Sequence, residues 1–152
     1  MKIPGSINKG YSELDIFAQR FMLGEYIKGV KSRVEGQLLI VDFSVARPYF
    51  STTYELTIFY HSQNIHFVKV NNREIEPSIA IHMYEDRTLC LYYPPDISPF
   101  RRLWIAKDLI PLAVLWIHNY ERWLYNGRDW KGWEAPGHWF LLQRLKTGTN
   151  SV

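Results

Sequence analysis

The chain has 152 residues, the size of one ordinary domain with a hydrophobic core of its own. Hydrophobic residues make up 47% and charged residues 22%, a balance typical of a globular protein and not of a disordered one. The formal net charge of +3 is too small to indicate a nucleic-acid-binding protein. The single cysteine excludes an internal disulfide framework and a cysteine-rich zinc site, and it fits a reducing compartment.

The longest apolar run, from Leu109 to Ile117, is much shorter than the roughly 20 residues that a membrane-spanning helix needs. The first residues contain no apolar core of signal-peptide length. The sequence therefore predicts a soluble, cytoplasmic protein with a single domain over 1–152. In this prediction residues 11–127 form the core, a tryptophan-rich tail at 128–145 packs against it, and residues 146–152 fray.

Residues 11–27 are predicted to form a helix, because apolar residues recur at three- and four-residue spacing. The set is Tyr11, Leu14, Phe17, Ala18, Phe21, Met22 and Tyr26. A helix places these residues on one face, which is expected to pack on the core. Gly29 marks the expected end of the helix.

Four strands are predicted next, at 37–43, 53–60, 65–70 and 79–83. The second is the clearest, because Tyr54, Leu56, Ile58 and Tyr60 alternate with mostly polar residues. The connections between the strands are short, and a parallel pair would need a long crossover. We therefore expect an antiparallel meander.

A second and strongly apolar helix is predicted from about Trp104 to Tyr125. Pro111 is expected to kink or restart it, because proline lacks the backbone donor that a helix interior needs. Asn126-Gly127 is a typical helix stop. The predicted fold is thus α+β, with an N-terminal helix, a four-stranded antiparallel sheet and a central helix packed across one face.

Cys90 is the residue best suited to chemistry. It lies between the turn-like Glu85-Asp86-Arg87 and the double proline Pro94-Pro95. A residue between two segments that interrupt regular secondary structure can lie exposed at the surface, where a thiolate can act as a nucleophile. The alternative is a buried structural cysteine, since leucines flank it on both sides.

His82 also has two interpretations: a base or thiolate partner for Cys90, or a structural histidine that braces a turn. The other histidines show no metal-ligand spacing. Glycine-rich phosphate loops, GxSxG elbows and dinucleotide fingerprints are absent from the sequence. The sequence therefore predicts no cofactor and no metal, and an activated acyl donor has to come from elsewhere.

The segment His82-Met83-Tyr84, followed by Thr88-Leu89-Cys90-Leu91, a proline-broken loop and a long helix, resembles ubiquitin-conjugating enzymes. Those enzymes have an N-terminal helix, a four-stranded antiparallel meander, a histidine-containing turn, an active cysteine and a crossover helix. The same order is predicted here over residues 11–126. The resemblance implies this fold and implies that Cys90 carries an acyl group as a thioester.

Further residues carry a second resemblance: Leu89-Cys90-Leu91-Tyr92-Tyr93-Pro94, Trp104, Ile110-Pro111, Tyr120-Glu121-Arg122-Trp123-Leu124, Gly127, Trp130, Gly132, Glu134 and His138. They are similar to the prokaryotic branch of this family that is found in antiphage operons. That branch includes the stand-alone conjugating enzyme of short type II cyclic-oligonucleotide antiphage signalling systems (CBASS). The resemblance implies that the cysteine takes the C-terminal glycine of a cGAS-like nucleotidyltransferase and primes that enzyme, with no nucleic-acid or membrane partner.

A thioester mechanism needs a thiolate, an activated carbonyl and a stabilised oxyanion. Cys90 supplies the first, and Arg87 is a candidate for lowering the pKa of its thiol. Tyr84, Thr88 or backbone amides near Cys90 are candidates for stabilising the oxyanion. His82-Met83-Tyr84 stands where the eukaryotic enzymes have His-Pro-Asn, so transfer to lysine is less expected than thioester formation.

Two other functions remain open from the sequence. One is a conjugating-enzyme-like binding module in which Cys90 is inert and the aromatic tail docks a partner. The other is a plain nucleic-acid-binding domain, although no basic-aromatic motif supports it. A test of Cys90 reactivity separates the enzyme from the binding module.

Overall fold

The computed structural model describes residues 5–92 and 101–132, with side chains from residue 13 onward. In sequence, one helix precedes the strands of a sheet and a second helix follows them. Helix α1 spans Gly5–Tyr26 and helix α2 spans Ile110–Tyr125. The strands between them are β1 (Lys31–Glu35), β2 (Leu38–Val45), β3 (Tyr54–Ser62) and β4 (Ile65–Val70). The α+β prediction is confirmed.

The four strands form one sheet in the order β1-β2-β3-β4, and every neighbouring pair is antiparallel. The predicted four-stranded meander is therefore confirmed, but its strands are not all the predicted ones. Strand β1 was not predicted, because four of its five residues are exposed and its sequence KSRVE contains no apolar alternation. It lies at the edge of the sheet, where polar side chains are common.

The predicted strand at 79–83 is wrong. Ile79–Ile81 form a short 3₁₀ helix, and the Ser78 side chain caps it by accepting a hydrogen bond from the Ala80 amide at 3.1 Å. His82 ends this turn in the left-handed conformation, with φ at 57°. Only Met83 makes an isolated bridge, to Leu89. The cap and the left-handed residue override the apolar alternation that favoured a strand.

Helix α1 begins at Gly5 rather than at residue 11, and it packs on a different face from the predicted one. Ile16, Gln19 and Leu23 are buried, whereas Leu14, Phe17 and Phe21 are 70%, 69% and 57% exposed. The reason is Gln19, whose amide donates to the Leu103 carbonyl and accepts from the Ile105 amide, both at 2.9 Å. A buried polar side chain thus sets the orientation of the helix.

Helix α2 starts at Ile110, next to Pro111, which was expected to kink or restart the helix. A π-helical turn at Ile105–Leu109 precedes it, and Pro111 lies in its first turn, where the missing backbone donor is tolerated. Ala113 and Ile117 of α2 are completely buried. They join the core formed by the inner side chains of β2, β3 and β4. Among the described residues, no helix is long and apolar enough to cross a membrane.

The tryptophan-rich tail is described only as far as Gly132. Trp130 is half-buried against the core, with its ring 4.9 Å from the His82 ring and 6.4 Å from the Trp116 ring. The other predicted packing residues of the tail, Trp133, Glu134, His138 and Trp139, lie outside the described residues, as do Tyr93, Pro94 and Pro95. The packing of the whole tail stays a prediction.

Candidate active site

A tight hairpin at residues 82–90 builds the surroundings of Cys90. The Cys90 amide donates to the His82 carbonyl, and the Tyr84 amide donates to the Thr88 carbonyl, each at 2.9 Å. Met83 and Leu89 pair between them, and both side chains are buried. Opposite residues of an antiparallel pair share a face, and successive residues alternate. Tyr84, Thr88 and Cys90 therefore belong to the other face of the hairpin.

Tyr84 is the hydrogen-bonding partner of the Cys90 thiol. Tyr84 is 49% exposed, and Cys90 is half-buried beside it. Burial raises the pKa of the Cys90 thiol, because a thiolate is poorly solvated there, and the hydrogen bond from Tyr84 partly opposes this rise. The same hydrogen bond raises the pKa of Tyr84. The pair is therefore a neutral thiol and phenol at rest, at the edge of solvent.

His82 is only 2% exposed, and its ring stacks on the Trp130 ring. Its backbone closes the 3₁₀ turn by donating to the Ile79 carbonyl at 3.1 Å. The indole of Trp116 on α2 donates to the Ile81 carbonyl at 2.7 Å, which fastens this turn to the helix. These contacts favour the interpretation of His82 as a brace.

Arg87 and Thr88 shape the turn of the hairpin. Arg87 has a left-handed backbone, and its guanidinium donates to the carbonyls of Asn72 and Arg73 at 2.9 and 3.0 Å. The Thr88 hydroxyl donates to the Asp86 carboxylate at 2.6 Å. The hydrogen bond that lowers the pKa of the Cys90 thiol comes from Tyr84, and the role suggested for Arg87 in lowering it stays a prediction. Arg87 holds the hairpin to the loop after β4.

Two further contacts attach the Cys90 segment to β4. The Leu89 amide donates to the Val68 carbonyl at 2.8 Å. The Tyr92 hydroxyl lies 2.5 Å from Nε2 of His66, whose Nδ1 lies 3.2 Å from the Ser62 carbonyl. Nδ1 therefore carries the proton and Nε2 accepts from Tyr92. Burial lowers the pKa of His66 and keeps the ring neutral, as this pairing requires.

A narrow groove separates Cys90 from α2. Sequence reasoning missed it, although Leu112, Leu115, Trp116 and Asn119 have the spacing of one helix face. The groove has a volume of about 30 Å³, and Leu91 and Trp130 complete its lining. In the described ranges 5–92 and 101–132, no group of histidine, cysteine and carboxylate side chains is arranged to hold a metal ion.

The chain matches the model of a known protein family. The family model described as "Type II CBASS E2 protein" matches residues 19–138, which is most of the chain and includes Cys90 with its hairpin. A comparison with curated proteins finds no match. The family match agrees with the resemblance that the sequence carries.

Proposed function

Because the chain belongs to the type II CBASS E2 family of antiphage defence proteins, we propose that it is a ubiquitin-conjugating-like enzyme that carries an acyl group on Cys90 as a thioester. The observation that carries the proposal is the position of this half-buried thiol beside Tyr84 on one face of a braced hairpin. Cys90 is the only cysteine of the chain, so it is the only residue able to form a thioester.

The reaction starts with the Cys90 thiolate attacking an activated carboxyl group at the C-terminus of a protein. A carbon–sulfur bond forms as the bond from the carbonyl carbon to the activating group breaks, and the electron pair leaves with that group. The negative charge that develops on the carbonyl oxygen needs a donor within hydrogen-bonding distance. The Tyr84 hydroxyl, which interacts with the Cys90 thiol, is the proposed donor.

The raised pKa of Cys90 suits a residue that carries an acyl group. A more basic thiolate is intrinsically more nucleophilic once it has formed, and it is a poorer leaving group once acylated. Burial thus slows the loss of the acyl group to stray thiols. The same burial lowers the thiolate fraction at neutral pH, which Tyr84 partly offsets.

The remaining predicted site residues are proposed to position this pair. His82 holds the Cys90 amide through its carbonyl and fixes the turn through its buried ring. Thr88 and Arg87 hold the end of the hairpin that carries Tyr84. None of the three is required to exchange a proton with the substrate in this proposal.

The proposed acyl donor is the C-terminal glycine of a cGAS-like nucleotidyltransferase, which the type II CBASS setting of the family supports. Conjugation to that C-terminus is proposed to prime the nucleotidyltransferase for signalling. Transfer from Cys90 onward to a lysine is not part of the proposal, because Tyr84 stands where an asparagine would position the attacking amine.

The test is intact mass spectrometry of the protein co-expressed with the proteins encoded beside it. We expect an adduct of one partner on wild-type protein that thiols and hydroxylamine remove. Cys90→Ala should abolish the adduct, and Cys90→Ser should abolish it or replace it with a more stable oxyester. Both variants should melt cooperatively, since a half-buried cysteine contributes little to the core.

The contrary function is an inert binding module. It predicts that Cys90 resists alkylation in the folded protein and that partner binding survives Cys90→Ala unchanged. Either the absence of every thiol-sensitive adduct or an adduct that persists in Cys90→Ala would refute the enzyme proposal.

A further inference from the structure

Helix α1 carries an apolar stripe that faces solvent. Leu14, Phe17 and Phe21 recur at spacings of three and four residues, so they share one face of the helix, and they are 70%, 69% and 57% exposed. Single apolar side chains are common on protein surfaces, but a contiguous apolar stripe is typical of a face that meets a partner. Because the hydrogen bonds of Gln19 turn a different face of α1 toward the core, the stripe stays accessible.

A groove lies beside this stripe, between α1 and the edge strand β1. Phe17 and Val34 line it from the helix and from the strand, and the buried Ile16 also contributes to its lining. The groove has a volume of about 250 Å³, many times the roughly 10–15 Å³ that one water-sized group needs. It is therefore large enough to receive an aromatic side chain from a partner.

Two exposed residues of opposite charge flank the stripe. Glu13 precedes Phe17 by four residues, Arg20 follows it by three, and both line the α1–β1 groove. The Arg20 guanidinium donates to the Ser32 hydroxyl at 3.3 Å. Among the side chains described from residue 13 onward, neither Glu13 nor Arg20 forms an ion pair. An acidic and a basic group thus lie on opposite sides of Phe17 along the helix.

This arrangement is complementary to itself. Two copies can meet with their α1 helices antiparallel across a twofold axis near Phe17, so that residues before Phe17 in one copy face residues after it in the other. Leu14 of each copy then meets Phe21 of the other. Glu13 of each copy likewise meets Arg20 of the other. Each copy offers both a protruding ring and a groove to receive one, so a single pair of contacts is formed twice.

We propose that this face of α1 is an interface between two copies of the chain, which form an antiparallel twofold dimer. The interface is independent of the proposed thioester chemistry, because none of its residues lines the groove beside Cys90. It is centred on one helix, and interfaces at the small end of the range are weak, so we expect a dissociation constant of about 10–100 µM. Well below that concentration the chain is monomeric, and denaturation of dilute protein measures the fold alone.

Sedimentation velocity of the whole chain over a concentration series tests the dimer. We expect the mass of the wild-type protein to double as its concentration rises through the dissociation constant. Phe17→Gln should weaken association by about tenfold or more, because the twofold axis applies the loss of a buried ring twice. The control is Tyr125→Gln, the same loss of a ring at a 74% exposed residue at the end of α2, which should leave association unchanged. A wild-type chain that stays monomeric, or a Phe17→Gln variant that associates as tightly as wild type, overturns the inference.

Charge reversal separates this dimer from any other association. Glu13→Arg places two guanidinium groups opposite each other across the axis, and Arg20→Glu places two carboxylates there, so each variant alone should dimerise about tenfold more weakly than wild type. An equimolar mixture of the two variants should restore association, because every contact then joins an acidic and a basic group. Both variants should keep the wild-type circular dichroism and the wild-type rate of Cys90 alkylation, since the changed side chains are exposed. A mixture that associates no more tightly than either variant alone overturns the inference.

Discussion

Replacing Gln19 by leucine removes the contact that orients α1. The Gln19 side chain is completely buried and joins the Leu103 carbonyl and the Ile105 amide through two 2.9 Å hydrogen bonds. Leucine has a similar volume and leaves little cavity. The Leu103 carbonyl keeps a 3.2 Å hydrogen bond from Gln63, but the Ile105 amide loses its side-chain acceptor.

An orphaned buried donor costs about 1–3 kcal/mol, so we expect Gln19→Leu to lower the free energy of unfolding by about 2 kcal/mol. In a domain of this size that change lowers Tm by roughly 4–8 °C. Thermal denaturation followed by circular dichroism measures it. The matched control is Phe17→Gln, the opposite change of polarity at a 69% exposed position two residues away. It should change the free energy of unfolding by no more than about 0.5 kcal/mol.

The sequence pattern alone predicts that Phe17→Gln is the more destabilising of the two variants, because it places Phe17 in the core and Gln19 in solvent. A stable Gln19→Leu together with an unstable Phe17→Gln would therefore refute the burial of Gln19. Equal stability of the two variants would refute its energetic importance.

Three further predictions concern Tyr84, Glu121 and His66. Tyr84→Phe should slow alkylation of Cys90 by iodoacetamide at pH 7 by about threefold. The loss of a hydrogen bond of about 1.5 kcal/mol, the low end appropriate to a half-exposed donor, lowers the fraction of Cys90 present as thiolate roughly tenfold. The more basic thiolate is also more nucleophilic, which restores part of the rate. An unchanged dependence of the alkylation rate on pH would contradict this. Glu121→Ala should lower the free energy of unfolding, measured in urea, by about 3 kcal/mol, because the buried Tyr54 hydroxyl loses its 2.5 Å acceptor. The control is the exposed neighbour, and Arg122→Ala should leave this free energy almost unchanged. Burial lowers the folded-state pKa of His66. The unfolded chain therefore takes up its proton first, and the free energy of unfolding falls as the pH drops from about 6.5 toward that lowered value. His66→Phe should flatten this fall between pH 7 and pH 5, and an equal fall in both proteins would refute the prediction.

The elements with a strong local signal were predicted correctly. The alternation around Tyr54–Tyr60 and the apolar run with Pro111 at its start specify β3 and α2, because side-chain periodicity reflects the side of an element that meets the core. The turn at Glu85-Asp86-Arg87 was predictable for a similar reason, because turn-forming residues leave few backbone conformations open to a short segment.

The incorrect predictions have physical causes that lie outside the local sequence. Strand β1 shows no alternation because it is an exposed edge, and it exists because β2 offers it hydrogen-bonding partners over the whole of Lys31–Glu35. The segment 79–83 alternates like a strand but turns as a 3₁₀ helix, because Ser78 caps it and Trp116 on α2 holds the Ile81 carbonyl.

The sequence by itself determined the family, the α+β order of elements and the single residue that can form a thioester. Only the tertiary structure decided what surrounds that residue. Tyr84 meets the Cys90 thiol because the hairpin pairs His82 with Cys90, and the guanidinium of Arg87 donates to carbonyls of the preceding loop. Trp130 reaches the groove across a sequence separation that no local pattern encodes. Hydrogen bonds and ring contacts between distant segments depend on how the elements dock, and docking is settled by the whole core rather than by any one stretch of chain.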